Sequence, residues 1–110
     1  MSTRLSTRDA ESIAKALAAG DAFATYGSLA GRPHDGGPIH AGRLPGDWAR
    51  TLQARSHVIT FVISSYATPI AWHDLEAGWI LPDESYSVTT SRHQSRIRHA
   101  LHLTGSEVSP

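Results

Sequence analysis

The segment from His57 to Trp72 constrains the fold more than any other part of this chain. At its start, apolar residues occupy both alternating positions, with Ile59, Phe61 and Ile63 on one side and Val58 and Val62 on the other. This pattern predicts a strand that is at least partly covered on both faces. The large apolar residues then shift from odd to even positions, and Pro69 cannot donate a ladder hydrogen bond. We therefore expect a bulge or a break across Ser64–Pro69.

Two helices are predicted at the ends of the chain. The first runs from about Thr7 to Ala19, with Ser6 as N-cap and Gly20 as the stop. The second runs from Ser91 to Leu103, where Ser91 and Gln94 match a capping box. Each helix carries one apolar stripe, so both are expected to pack on a sheet.

The remaining segments predict short strands joined by turns. Predicted strands cover Phe23–Leu29, Trp79–Leu81 and Tyr86–Thr89, and the two tryptophans Trp72 and Trp79 flank a hairpin turn that ends at Gly78. Gly31–Gly46 holds five glycines and three prolines and is expected to be a long loop. Asp47 is expected to cap a short helical turn that carries Trp48 and Leu52, and residues 106–110 are expected to be a loose tail.

These elements together predict an α+β fold over a single domain, residues 1–110. The expected architecture is a small antiparallel sheet of four to five strands, with the N-terminal and C-terminal helices packed on it. If both faces of the His57–Ile63 segment are buried, two thin helices will not cover both. A homodimer would solve that problem.

Composition excludes several classes of function. There is no cysteine, so disulfides, thiolate metal sites and a cysteine nucleophile are excluded. The formal net charge is zero, so no global field attracts nucleic acid or an anionic membrane. No apolar stretch is long enough to span a membrane. We expect a cytoplasmic protein.

The strand-to-helix junction Tyr86–Gln94 is the best candidate site. A helix N-terminus offers backbone N–H donors and a partial positive charge, which together suit an anion or a phosphate. Capping alone explains Ser91 and Gln94. The candidate anion-binding or partner-binding residues are therefore Tyr86, Thr89, Thr90, Arg92 and His93.

A second candidate surface combines the tryptophan hairpin and the last helix. That helix has three arginines and no acid, whereas Ser56–Ser91 has four acids and no Lys or Arg. A basic helix face could meet phosphates or an acidic protein. The candidate partner surface consists of Trp72, Trp79, Arg96 and His99.

Seven histidines raise the question of a metal site. His99 and His102 are spaced to share a metal, and His34 and His40 lie in one loop, but two ligands do not make a site. Solvent-exposed histidines are the simpler interpretation. We predict no metal, no cofactor and no catalytic set.

The segments TPIAW (Thr68–Trp72) and YSVTTSRHQ (Tyr86–Gln94), with Trp79 between them, resemble a family of small uncharacterised proteins common in actinobacterial phages and their hosts. The resemblance covers roughly residues 57–101. It implies a phage-type accessory protein and supplies no activity.

Two hypotheses follow for function. The first is a non-enzymatic module that binds a host or self protein partner. The alternative is nucleic-acid binding, or metal-independent RNA cleavage, through the Tyr86–His93 junction, where Tyr86, Arg92 and His93 could supply a proton shuttle and a cation.

Overall fold

The apolar segment that begins at Ile59 forms the centre of a mixed sheet in the computed structural model of the chain, which describes residues 4–6, 9–25, 27–84 and 87–109. Within these residues the strands are β1 (Arg4–Leu5), β2 (Phe23–Thr25), β3 (Leu29–Pro33), β4 (Ile59–Ser65), β5 (Thr68–Asp74), β6 (Gly78–Ile80) and β7 (Val108–Ser109). The α-helices are α1 (Ala10–Ala19), α2 (Gly46–Arg55) and α3 (Val88–Leu103), and one turn of 3₁₀ helix, Ser56–Val58, precedes β4.

Strand order in the sheet follows the order of the chain, from β1 at one edge to β7 at the other. The β1–β2 and β6–β7 pairings are parallel, and the four pairings between them are antiparallel. The predicted α+β class is therefore confirmed. More strands form than expected, because short strands add to both edges and Phe23–Leu29 belongs to two strands. Residues 108–109, expected in a loose tail, pair with β6.

The expected interruption across Ser64–Pro69 is a tight hairpin turn between β4 and β5. Ser65 pairs with Thr68 on either side of the two-residue turn Tyr66–Ala67. The register also shifts between Ile63 and Ser64, next to the position where Ser64 faces Pro69. This bulge accommodates a proline inside a central strand, because the local ladder is already interrupted.

Helices α1 and α3 pack together on one face of the sheet. Asp9 caps α1 by accepting a hydrogen bond from the Ser12 N–H, so the predicted N-cap Ser6 is wrong, whereas the stop at Gly20, in the left-handed conformation, is confirmed. The main core lies between these helices and the sheet. Its buried members include Ile13, Leu17, Phe23, Leu29, Phe61, Ile63, Ile70, Leu81, Ile97 and Leu101.

Gly31 lets two aromatic rings of this core approach the β3 backbone. A β-carbon at this position would lie 2.8 Å from Cε1 of Phe61 and still closer to the ring of Phe23. A glycine is required here for packing and not for a turn.

The opposite face of the sheet is covered by α2 and by the segment that precedes it. Their apolar side chains form a second core with the sheet, and its buried members are Ile39, Leu44, Leu52, Ile59, Val62 and Trp72. The predicted helical turn after Asp47 is a ten-residue helix, and its N-cap is Pro45 rather than Asp47. Because this layer covers the second face, the argument for a homodimer from an uncovered face no longer applies.

The predicted loop Gly31–Gly46 is shorter than expected, because residues 31–33 belong to β3 and Gly46 begins α2. The remaining segment, from His34 to Pro45, has no helix or strand, yet it is held at defined points. Gln53 of α2 accepts a hydrogen bond from the Ile39 N–H at 3.3 Å and donates its side-chain amide to the Ile39 carbonyl. The Arg43 N–H donates to the Thr68 hydroxyl at 3.0 Å. These contacts join the segment to α2 and to the start of β5.

A buried ion pair joins α2 to the β5–β6 hairpin. Asp74 is 1% exposed and accepts two hydrogen bonds from the Arg55 guanidinium, at 2.9 and 3.0 Å. The same carboxylate accepts from the N–H groups of Glu76 and Ala77, so it also organises the turn. The Arg55 hydrogen bonds, with help from those backbone donors, hold the pKa of Asp74 well below its ordinary value.

Candidate functional site: the hairpin–helix pocket

Helix α3 begins earlier than predicted. Its N-cap is Ser87, whose hydroxyl accepts a hydrogen bond from the Thr90 N–H at 3.1 Å. The predicted strand over Tyr86–Thr89 is therefore wrong, because Val88 and Thr89 are helical, and Tyr86 itself lies outside the described residues. Val and Thr have high β propensity, which is why the sequence pattern predicted a strand here. In the structure the Ser87 N-cap stabilises the helix instead, and this outweighs the local preference for a strand.

The predicted capping box at Ser91 and Gln94 is also wrong. Ser91 lies within the helix, where its N–H donates to the Ser87 carbonyl. Gln94 is buried and donates its amide to the carbonyl oxygens of Pro82 and Glu84, at 3.4 and 3.0 Å. Gln94 thus attaches the helix to the chain that follows β6 and has no part in the cap.

A buried polar network joins α3 to the end of β4. The Ser65 hydroxyl lies 2.7 Å from Nδ1 of His93 and 3.3 Å from the Thr90 hydroxyl. The Ser87 hydroxyl in turn donates to the Thr90 hydroxyl at 3.1 Å. Ser65, Thr90 and His93 are all less than a tenth exposed. In this environment burial lowers the pKa of His93, because the charged imidazolium would lose its hydration.

The turn Tyr66–Ala67 places an aromatic ring over this network. The two residues have φ angles of +51° and +64°, in the left-handed region that glycine and asparagine favour. Neither residue is glycine, so the backbone conformation carries a cost that the surrounding structure must offset. Tyr66 is 59% exposed, and its ring stacks on the imidazole of His93, with ring centroids 6.2 Å apart.

A cavity of about 690 Å³ opens beside this turn, and we call it the hairpin–helix pocket. Among the described residues it is lined mainly by hydroxyl groups, together with the Tyr66 ring and Arg43, and no acidic residue lines it. The lining residues are Arg43, Ser65, Tyr66, Thr68, Ser87, Thr89 and Thr90. Two predicted site residues, Thr89 and Thr90, thus line one pocket, and His93 lies against Ser65 of its lining.

Arg92 is placed on the exposed surface of α3, two positions after Thr90. The ion pairs of the described chain involve Arg50 and Arg55, so Arg92, Arg96 and Arg98 take part in none of them. Within the described residues, Asp74 and Glu76 of the β5–β6 hairpin therefore pair with Arg55 of α2, and no ion pair involves the arginines of α3.

The four residues of the predicted partner surface do not form one patch. Trp72 is 1% exposed and packs edge-on against Trp48 in the second core, so its indole is not available to a partner in this structure. Trp79 is half-buried on the other face of the sheet, against Phe61. His99 is exposed and Arg96 half-buried on α3. The two tryptophans separate because they occupy opposite faces of the hairpin.

Across residues 4–6, 9–25, 27–84 and 87–109, no three His, Cys, Asp or Glu side chains are grouped closely enough to hold a metal ion. His99 and His102, and likewise His34 and His40, acquire no third ligand there. No helix in the same part of the chain combines the length and the hydropathy of a membrane span.

Comparison with known proteins identifies a family. The sequence model of a family of unknown function, DUF8033, matches residues 7–107. The chain belongs to DUF8033. No curated protein and no solved structure shows significant similarity to the chain.

The site of this DUF8033 chain includes five residues that sequence reasoning did not assign to it: Arg43, Ser65, Tyr66, Thr68 and Ser87. Ser65 is 28 positions from His93 in the sequence, and only the hairpin brings them together. The phase change across Ser64–Pro69 predicted a bulge or a break in this region, but it did not indicate a hairpin turn or a role for Tyr66. Nothing in the sequence indicated that the turn would take left-handed geometry at two non-glycine residues.

Proposed function

We propose that the chain is a non-enzymatic interaction module that binds a protein partner through the surface around Tyr66. The partner is either a host protein or a second copy of the chain. The observation that carries this proposal is the left-handed turn at Tyr66–Ala67, which displays a tyrosine ring over a buried hydrogen-bonded network.

The composition of this surface supports protein recognition. Tyrosine is enriched among the residues that dominate binding energy in protein interfaces. Val88 lies between the pocket-lining residues Ser87 and Thr89 in sequence and is 71% exposed, so the first turn of α3 adds an exposed aliphatic side chain to this region. Around them the hydroxyl groups of the hairpin–helix pocket can donate or accept hydrogen bonds. An apolar centre with a polar surround is the usual organisation of an interface.

The geometry of the Ser65–His93 pair favours binding over catalysis. A nucleophilic serine must reach its substrate, and Ser65 is 1% exposed. His93 is buried beneath Tyr66, and within the described chain no carboxylate hydrogen-bonds to its ring. The pair is better suited to hold α3 against the β4–β5 hairpin. These features also disfavour RNA cleavage with His93 as proton shuttle.

The family membership adds no activity, but the resemblance to proteins of actinobacterial phages bears on the setting. We include in the proposal that the chain is a phage-type accessory protein that acts in the cytoplasm of a bacterial host.

Nucleic-acid binding remains the second candidate function. Arg43 and five hydroxyl side chains line the hairpin–helix pocket, and Arg92 is exposed nearby on α3 without an ion pair in the described chain. Arginine and hydroxyl groups are common phosphate contacts. The neutral net charge argues against a large electrostatic contribution, so we place this function second.

Capture from host lysate on immobilised protein separates these functions. We expect the wild type to retain one protein partner, identified by mass spectrometry. Tyr66→Ala should reduce its recovery by about thirtyfold, because truncating an interface tyrosine costs about 2 kcal/mol. Val88→Asp should reduce it as well, and an acid in the first helical turn is compatible with α3.

The matched control is Leu75→Ala. Leu75 is 67% exposed, but it lies in the turn between β5 and β6. The Leu75→Ala variant should capture as much of the partner as the wild type does. Equal recovery by the wild type, Tyr66→Ala and Val88→Asp would refute the proposed surface. If the eluate instead contains nucleic acid that is lost with Arg92→Ala, the second candidate function is correct.

A further inference from the structure

The sheet face opposite α1 and α3 holds a second cavity, of about 380 Å³, which we call the loop pocket. It lies between strands β3 and β4 and the segment His34–Ala41. Small side chains form its floor, among them Ala30, Ser64 and Ala67, and the backbone of Gly31 contributes as well. Its volume falls within the range of small-molecule sites, roughly 300–1,000 Å³.

The small floor residues explain why this part of the face is open. On the neighbouring part of the same face, Val62 and Trp72 pack against Leu52 of α2 and fill the space. Along β3, Ala30 and Arg32 point to the side of the loop pocket, and Ala30 leaves room where a larger residue would fill it. The apolar walls are provided by Ile39 and Val62.

Among the lining residues that the structure describes, the permanently charged group of the loop pocket is the Arg32 guanidinium. Arg32, His34 and His40 line the pocket, and among the described residues no Asp or Glu does. Arg32 is exposed and appears in no ion pair within the described chain. A guanidinium beside an apolar cavity is well suited to a planar carboxylate, to which it can donate two parallel hydrogen bonds.

The walls of the loop pocket are preformed. The His34 ring donates from Nε2 to the Gly37 carbonyl at 2.7 Å, and its backbone N–H donates to the Thr60 carbonyl at 2.9 Å. Gln53 holds Ile39 by both backbone groups. A cavity whose walls are already ordered loses less conformational entropy when a ligand binds.

We propose that the loop pocket binds a small organic anion, a carboxylate on an apolar body, with Arg32 contacting the carboxylate. The apolar body occupies the space above Ala30, against Ile39 and Val62. This site is separate from the surface around Tyr66, and it does not depend on the function proposed for that surface.

The test is a titration of ¹⁵N-labelled protein followed by ¹H–¹⁵N correlation spectra. The probes are hexanoate, phenylacetate and indole-3-acetate, each compared with its neutral amide. We expect at least one carboxylate to bind with a Kd of about 1 mM or tighter, with shifts centred on Ala30, Ile39 and Ser64. Its amide and inorganic phosphate should each bind at least about fivefold more weakly, because one lacks the charge and the other the apolar body.

Three variants locate the binding. Arg32→Gln alters an exposed side chain, so it should keep the fold and weaken the carboxylate about fivefold or more. Ala30→Leu should fill the cavity and abolish saturable shifts, with its spectrum reporting whether the fold is retained. Arg98→Gln removes an arginine on the opposite face of the sheet and should leave the affinity unchanged.

The proposal is overturned if none of the three carboxylates produces saturable shifts around the loop pocket. It is equally overturned if the amides bind as tightly as the acids, or if Arg32→Gln in a folded protein has no effect on affinity.

Discussion

At the scale of single residues, Asp74 is the buried carboxylate that joins α2 to the β5–β6 hairpin. Its carboxylate is buried against Arg55 and accepts two backbone hydrogen bonds. Asp74→Asn should lower the free energy of unfolding by about 1–3 kcal/mol, because it removes the buried charge that accepts two hydrogen bonds from Arg55 and leaves that arginine only the longer ion pair with Glu76. Urea denaturation at neutral pH measures this difference.

The pH dependence of the Asp74 contribution has a defined sign. The folded state lowers the pKa of Asp74 below the unfolded value of about 3.9, so the stabilisation is present above that pH. It is lost as the pH falls towards the folded-state pKa. The difference between the wild type and Asp74→Asn should therefore shrink in acid. A difference that is constant from neutral pH to pH 2 would contradict the role of this charge.

His93 should make stability depend on pH in a different window. Burial lowers its pKa, so between the folded-state pKa and the unfolded value of about 6.5 the unfolded chain binds more protons. Stability should fall as the pH decreases below about 6.5. His93→Gln should flatten this slope in a series of urea denaturations at different pH values. Identical slopes in the wild type and His93→Gln would exclude a titrating His93.

At the scale of elements, the β4–β5 turn is the part of the fold with an evident local cost. Ala67 has a φ of +64°, and a glycine would adopt this conformation without the penalty of a β-carbon. Ala67→Gly should raise the free energy of unfolding by about 0.5–1 kcal/mol, as measured by the urea midpoint.

The control for that prediction is Ala77→Gly in the β5–β6 turn. Ala77 does not have a positive φ, so glycine there should only increase the entropy of the unfolded chain and lower stability. If Ala67→Gly destabilises the protein as much as Ala77→Gly does, the turn is not strained.

The same turn illustrates what local patterns can predict. Alternation and a phase change were enough to locate strand β4 and the interruption that follows it. The start of α3 was placed three residues too late, because Ser91 and Gln94 fit a capping box as well as Ser87 fits an N-cap. Only tertiary contacts distinguish these two helix starts, because Gln94 donates its hydrogen bonds to the carbonyls of Pro82 and Glu84 and not to a cap.

At the scale of the whole molecule, the α+β class followed from the sequence because helix and strand periodicities are local. The covering of the second sheet face by α2 and the segment before it could not be predicted. The sequence of residues 31–46 indicates a loop, but it does not show that this loop packs on the sheet. That covering depends on Ile39 and Leu44 meeting Val62 and Trp72, which are distant in sequence. For the same reason the candidate site was predicted only in its α3 half.

The two pockets lie on either side of the β4–β5 turn, since Tyr66 lines one and Ala67 the other. Both therefore depend on the geometry of this turn. A ligand in the loop pocket would contact the residue next to the ring that we propose as the centre of the interface.

The most direct test of the central claim is site-specific photo-crosslinking in host cells. A photoreactive phenylalanine analogue introduced at position 66 should yield one dominant covalent adduct with a protein partner, and the same analogue at position 75 should not. An adduct from position 75 but none from position 66 would contradict the claim that Tyr66 lies at the centre of the recognition surface.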